Sequence, residues 1–140
     1  MFRDDMKMTG RLIISINDNV VQEADNLVVT TGKEFVASRM IGTSASVMDN
    51  MAIGSGSTAA AASDTALGSE LNRQSATSSV SGAVVTFSAT FAAGSGTGAV
   101  TEAALFNASS SGTMLCRTTF AVVNKSASDS MTISWAVTVS

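Results

Sequence analysis

The most reactive side-chain type in this sequence is its single cysteine, Cys116, which is followed directly by Arg117. A neighbouring cation lowers the pKa of a thiol, and the resulting thiolate is a nucleophile. Nucleophilic catalysis also needs a general base, and the chain contains no histidine. Ser-His-Asp triads, Cys-His pairs and histidine-based metal sites are therefore excluded. Because free cysteine is one of the most buried residue types, we expect Cys116 to be a structural residue of a strand.

A second pattern is the glycine-containing run Gly54-Ser-Gly56-Ser-Thr-Ala59, which follows the apolar residues 51–53. It matches the G-x-G-x-x-A fingerprint of dinucleotide-binding proteins. That fingerprint binds a pyrophosphate only inside a βαβ unit, with an acidic residue after the second strand. The sequence predicts neither feature, so we interpret the run as a flexible loop and predict no cofactor.

Carboxylates are the remaining candidates for chemistry. Several lie in the first fifty residues: Asp4, Asp5, Asp18, Glu23, Asp25 and Asp49. They lack the spacing of a calcium-binding loop, and turn chemistry explains Asp18 and Asp25 without a metal. Glu102 and Arg117 fall on consecutive predicted strands, so we expect a cross-strand ion pair. No second carboxylate converges on Glu102, so the sequence predicts no catalytic residue, no metal site and no enzyme activity.

The elements that position these residues are predicted to be β-strands, most clearly in the second half of the chain. Strands are expected at 81–92, 100–107, 114–123 and 130–140, separated by Gly/Ser-rich turns. Apolar residues recur with period two in the first and last of these: Val85, Phe87, Ala89, Phe91, and Met131, Ile133, Trp135, Val137, Val139. The pattern predicts an all-β protein, an antiparallel β-sandwich or barrel, that forms one domain over 1–140.

The first half is predicted to contribute a hairpin, a short strand and one short helix. Residues 8–17 and 20–23 read as two strands joined by an Asn-Asp-Asn turn, and 27–29 as a third. Thr31 and Glu34 have the spacing of a capping box, and Gly42 can end a helix. Helically spaced residues follow the box: Phe35, Val36, Arg39 and Met40. We predict a helix over 32–41 that packs Phe35 and Val36 on the core.

Two segments lack a regular pattern and are predicted to be arms. The segment 54–68 is rich in Gly, Ser and Ala and carries one charge, Asp64. Alone it buries too little apolar surface to offset the entropy of ordering it, so it is expected to be mobile or to order on a partner. Residues 1–7 are also irregular and lack the apolar core of a signal peptide.

Composition restricts the partners. Charged residues make up 14% of the chain, the net charge is −3, and the eight basic residues form no cluster, which argues against nucleic-acid binding. No apolar run reaches the about 20 residues that span a bilayer, so no membrane partner is expected. A surface with so few charges is expected to be covered by neighbouring molecules. Proline is absent, so edge strands lack one common protection and are expected to be covered as well.

Specific motifs resemble a pattern of bacteriophage virion proteins, in which a Glu-x-x-Leu-Phe-Asn strand, a strand with Arg-Thr-x-Phe and a closing Thr-Ile-x-Trp strand follow one another. The matching blocks here are Thr101-Glu-Ala-Ala-Leu-Phe-Asn107, Ser111-Gly-Thr-Met-Leu-Cys-Arg-Thr-Thr-Phe120 and Asp129-Ser-Met-Thr-Ile-Ser-Trp135. Residues 26–33, 51–56, 64–67 and Glu70 resemble the same group. Within it, the size is most similar to the capsid cement (decoration) proteins of short-tailed phages, and this resemblance implies a jelly-roll-like antiparallel β-sandwich.

The resemblance implies a structural protein of the phage head. It implies a protein made in the host cytoplasm that binds the capsid exterior, bridges major capsid protein subunits as a homodimer or homotrimer, and has no small-molecule substrate. The arms are the expected contacts with the capsid or another partner: Met1, Phe2, Arg3, Gly54, Ser55, Gly56, Ala60, Ala61 and Leu67. Two alternatives remain, a tail or neck adaptor or short fibre component and a carbohydrate-binding module. The latter would need exposed aromatic platforms, which a chain without tyrosine and with one tryptophan does not favour.

Overall fold

Alternating apolar and polar residues fold into two antiparallel sheets packed face to face. This architecture is seen in a computed structural model that describes residues 6–140. The elements in chain order are β1 (Met8–Ile16), β2 (Asn19–Asp25), β3 (Leu27–Val28), α1 (Thr30–Arg39), β4 (Asn50–Gly54), β5 (Glu70–Ser75), β6 (Thr77–Ser81), β7 (Val84–Phe91), β8 (Gly98–Phe106), β9 (Met114–Lys125) and β10 (Met131–Val139). The predicted all-β sandwich with one short helix is confirmed.

The first sheet has the strand order β2-β1-β10-β7-β6, and the second has the order β3-β9-β8-β4-β5. One side of each sheet contributes to a common apolar core. Trp135 and Ile133 of β10 and Phe91 of β7 meet Ile53 of β4 and Leu105 of β8 there, and all five side chains are fully buried. The period-two faces predicted for β7 and β10 therefore form the centre of the sandwich.

Turn chemistry sets the register of two hairpins. Asn17 and Asp18 have positive φ angles of 48° and 70°, as the tight turn between β1 and β2 requires. Gly82 has a φ of 58° in the two-residue turn between β6 and β7. This turn corrects the prediction of one strand over 81–92, because Ser81 ends β6 and the next strand begins at Val84.

The helix forms where predicted, but its ends and its start signal differ. It spans Thr30–Arg39 rather than 32–41, and Val29 precedes it without a side-chain cap hydrogen bond. Thr31 does not close a capping box; its hydroxyl donates to the Met114 carbonyl at 3.2 Å, which ties the helix to β9. Phe35 and Val36 pack against the core as expected.

Three strands, β4, β5 and β6, were not predicted. All five residues of β4 are buried, so the strand has no polar face to produce alternation. Every residue of β6 is exposed and only one is apolar, so it has no core face to detect. Such strands can be identified from their pairing with neighbouring strands, but not from their own sequences.

Close approach of α1 to β9 depends on Gly32. A Cβ atom at this position would overlap the Leu115 carbonyl oxygen, which belongs to the β9 backbone and cannot turn aside. We expect Gly32→Ala to lower the free energy of unfolding by about 1–3 kcal/mol, because the helix must move off the sheet. Denaturant unfolding measures this, with the exposed Lys33→Ala as the control. An unchanged midpoint for Gly32→Ala would contradict the packing described.

Candidate functional site

A dense hydrogen-bond network lies on the outer side of the second sheet, around Glu102 of β8, whose side chain is completely buried. Three backbone N–H groups donate to its carboxylate: Gly56 at 2.7 Å, Gly68 at 2.8 Å and Ser69 at 2.8 Å. All three belong to the segment that connects β4 to β5. A buried carboxylate needs such donors, since an unpaired buried charge is strongly unfavourable.

Arg117 of β9 supplies the countercharge, as the sequence predicted. Its Nη2 lies 2.9 Å from Oε1 of Glu102, and its Nε donates to the same oxygen at 3.2 Å. The rest of the guanidinium holds the connecting segment, because Nη1 donates to Asp64 and Nη2 to the Thr58 carbonyl, each at 2.9 Å. Arg117 is 2% exposed, so one buried guanidinium joins β8 to two points of the segment.

Burial alone would raise the pKa of Glu102. The N–H donors of Ser69 and Gly68, the Arg117 guanidinium and the N–H of Gly56 outweigh that effect and hold the pKa below its usual value. Glu102 is therefore ionised at neutral pH. Its carboxylate acts as a fixed anion around which the segment is wrapped, and its acceptor positions are occupied.

This carboxylate lies too close to Gly54 and Gly56 for a side chain at either position. A Cβ atom on either would overlap Oε2 of Glu102. The G-x-G-x-x-A run, which the sequence suggested to be a flexible loop, is held in the structure by defined hydrogen bonds. The Ser55 N–H donates to the Ser69 carbonyl at 2.8 Å, and the Thr101 hydroxyl donates to the Gly56 carbonyl at 2.7 Å.

The predicted contact residues of the segment 54–68 are therefore only partly available to a partner. Gly54 is buried at the end of β4, and Leu67 is 8% exposed in a second apolar cluster with Val29, Ala52, Ala104, Phe106 and Met114. Ser55 and Ala61 are exposed, whereas Gly56 and Ala60 are half-buried. In the structure the segment is fastened to its own sheet by the hydrogen bonds of Glu102 and Arg117. Met1, Phe2 and Arg3 lie outside the described residues.

Two other candidates for chemistry are core residues. Cys116 is fully buried, and burial raises the pKa of its thiol far above the usual value, although a backbone hydrogen bond with Leu105 opposes this. Trp135 is also fully buried, and its Nε1 donates to Oδ1 of Asn26 at 2.7 Å. It therefore offers no platform for stacking a sugar.

The two most exposed large apolar residues among residues 6–140 lie just after α1, and sequence reasoning missed them. Met40 is 85% exposed and Ile41 is 84% exposed, and Val47 follows at 56%. We call residues 40–47 the apolar tip. The sequence placed Met40 and Ile41 inside the helix with Met40 at helical spacing, but α1 ends at Arg39 and Gly42 turns the chain with a φ of 64°. The position of two apolar residues immediately before a helix-terminating glycine could have indicated that they lie beyond the helix and are exposed.

The apolar tip is braced rather than loose. The Arg39 guanidinium donates to the carbonyl oxygens of Thr43 at 3.0 Å and Ala45 at 2.8 Å. The Thr43 hydroxyl contacts the Ser38 hydroxyl at 3.3 Å. These bonds hold the backbone of the tip while its apolar side chains point into solvent, which is the geometry of a preorganised contact.

Within residues 6–140, no three Cys, Asp or Glu side chains are grouped as metal ligands would be. No helix in that range has the length and apolar character needed to cross a membrane. No protein-family model matches the chain, and neither a curated protein nor a solved structure matches it significantly. The structure therefore offers two notable features: the segment 55–69, which is hydrogen-bonded to the second sheet, and the apolar tip, which is exposed to solvent.

The Glu102–Arg117 pair is expected to dominate the stability of the segment. We expect Glu102→Gln to lower the free energy of unfolding at neutral pH by about 3–5 kcal/mol, because it removes the fully buried countercharge of Arg117 and leaves only the partly exposed Asp64 beside it. The exposed pair of Arg11 and Glu23 supplies the control, since Glu23→Gln should cost about 0–1 kcal/mol.

The stability difference between the native chain and Glu102→Gln is expected to depend on pH. Glu102 has a lower pKa in the folded chain than in the unfolded chain, so its contribution is complete above the unfolded pKa and is lost as pH falls through the folded one. The difference in stability between the native chain and Glu102→Gln should therefore shrink on acidification. A pH-independent difference would contradict the ionised, wrapped carboxylate.

Proposed function

We propose that this chain is a structural protein of a bacteriophage particle, a capsid cement protein that binds the outside of the head and bridges major capsid protein subunits. The single observation that carries an adhesive role is the apolar tip, where Met40 and Ile41 are more than four-fifths exposed on a braced backbone. The virion assignment is supported by the sequence blocks 101–107, 111–120 and 129–135.

Exposed apolar side chains of this size contribute to association when a partner covers them. Burying one Met or Ile side chain contributes about 1.5–3 kcal/mol. Met40 and Ile41 are adjacent, and Val47 lies in the same tip. One such contact is weak, but a shell presents many equivalent positions and a bridging protein is held at more than one of them. Adhesion by many copies therefore needs only a small apolar contact on each.

The buried Glu102–Arg117 pair suits the same role. It closes the segment 55–69 over the second sheet with the chain's own groups. Leu67 packs beneath that cover. The chain consequently keeps a rigid shape before it meets a partner, so little ordering entropy opposes binding.

Copy number distinguishes the proposed role from the alternative. Quantitative mass spectrometry of purified particles of the encoding phage, with the major capsid protein as the internal standard, is expected to give a near-stoichiometric ratio. A small multiple of the tail symmetry would instead identify a tail or neck component. Absence from purified particles would overturn both assignments.

The apolar tip can be tested directly on heads assembled without this chain. We expect the double variant Met40→Ser, Ile41→Ser to bind such heads at least about tenfold more weakly, since it removes the apolar area that a partner would cover. Because both side chains are exposed, its thermal unfolding should match that of the native chain. The control is Val122→Ser, which changes a side chain that is 53% exposed elsewhere on the surface. Equal binding of all three proteins would remove the tip from the interface.

A further inference from the structure

The first sheet ends in an edge strand that has none of the usual protections against pairing. Strand β6 has the sequence Thr-Ser-Ser-Val-Ser, and all five residues are exposed. It contains no charge and no proline, and its register with β7 is continuous, without a bulge. Charges, prolines and bulges are the devices by which native proteins block edge-to-edge contact. Strand β6 is thus open to the addition of another strand.

The other three edges differ from β6. Strand β2 carries Glu23 and Asp25, both paired with Arg11, and it lies against β9 through a hydrogen bond from Gln22 to the Ala121 carbonyl. Strand β5 carries the charged residues Glu70 and Arg73, and β3 has only two residues. Among the described strands, β6 therefore stands out as the uncharged edge.

The hairpin turn determines which backbone groups of β6 are free. A two-residue turn makes Ser81 and Val84 a hydrogen-bonded pair, and such pairs alternate along an antiparallel ladder. Ser79 and Thr77 consequently also bond to β7. The N–H and C=O groups of Ser78 and Val80 then point away from the sheet, which leaves four groups along this edge without a partner among residues 6–140.

We infer that two copies of this chain pair through β6 in antiparallel fashion about a two-fold axis at Ser79, making one ten-stranded sheet. This goes beyond the proposed function and names the self-association that a bridging protein would use. The arrangement is self-complementary, because Ser78 of one copy exchanges both hydrogen bonds with Val80 of the other. The axis generates the same exchange a second time, so all four free groups are used.

Charge favours a second copy as the occupant. The β6 edge is uncharged, and so are the outward residues beside it on β7, Thr86 and Ser88. Two identical edges can therefore approach without the like-charge repulsion that a charged edge would meet in a symmetric contact. Val80, which is 71% exposed, lies opposite Ser78 of the partner in this pairing, so part of its side chain becomes covered. A five-residue ladder is small beside a standard interface, so the free dimer is expected to dissociate on dilution.

A cysteine at the axis tests the geometry. In the inferred pairing, Ser79 faces Ser79 of the other copy as a non-hydrogen-bonded pair with Cα atoms about 4.5 Å apart, which a disulfide can span. We expect Ser79→Cys to form a covalent dimer under mild oxidation, measured on a non-reducing gel. Ser81→Cys is the matched control on the same strand, because its two copies would be roughly 13 Å apart. The native Cys116 is fully buried and does not compete.

Sedimentation over a concentration series supplies the second measurement. The native chain should form dimers at high concentration, and Val80→Lys should shift it to monomers by placing a charge on each of the two edges. A native chain that stays monomeric throughout, a trimer, or equal cross-linking of both cysteine variants would each overturn the inference. These results concern the purified chain alone. A monomeric chain with a near-stoichiometric copy number in particles would therefore refute the β6 pairing and leave the proposed function standing.

Discussion

The architecture of the second sheet depends on the need of one buried carboxylate for hydrogen-bond donors. Glu102 lies at the centre of β8, where water is excluded, and it remains charged because three backbone N–H groups and Arg117 surround it. That requirement brings the segment 55–69 onto the sheet. It also demands glycine at Gly54 and Gly56 and covers Leu67. Removing the anion would leave a segment with too little apolar area to stay in place.

The two sheets consequently have different outer faces. The second is covered by the chain's own segment, with apolar residues such as Ala52 and Ala104 beneath it. The first leaves its strands β7 and β10 open, with hydroxyl-bearing residues such as Thr90 and Thr132 facing solvent. Partner contacts are therefore to be sought at the apolar tip and along the first sheet, rather than on the segment that composition suggested.

Sequence reasoning succeeded where one residue's environment follows from its immediate neighbours. The alternation in β10 placed Trp135 in the core, and adjacent strands predicted the Glu102–Arg117 pair. It failed where a remote group decides the outcome. Nothing local to Gly56 reveals that a carboxylate 46 residues away orders its backbone. Likewise, β4 is buried on one face by the opposite sheet and on the other by the folded segment 55–69, and the contact of Thr31 with Met114 replaces the expected capping box.

Recognition of the Glu102 carboxylate by backbone N–H groups has an evolutionary consequence. Peptide N–H groups are common to every residue except proline, so the side chains between the donors are free to change as long as the backbone keeps its path. Substitutions at exposed positions such as Ser57 and Ala59 are therefore expected to accumulate almost neutrally. The glutamate, the arginine and the close-packed glycines are instead expected to tolerate few substitutions. An architecture specified in this way can persist in descendants long after their overall sequence similarity has decayed.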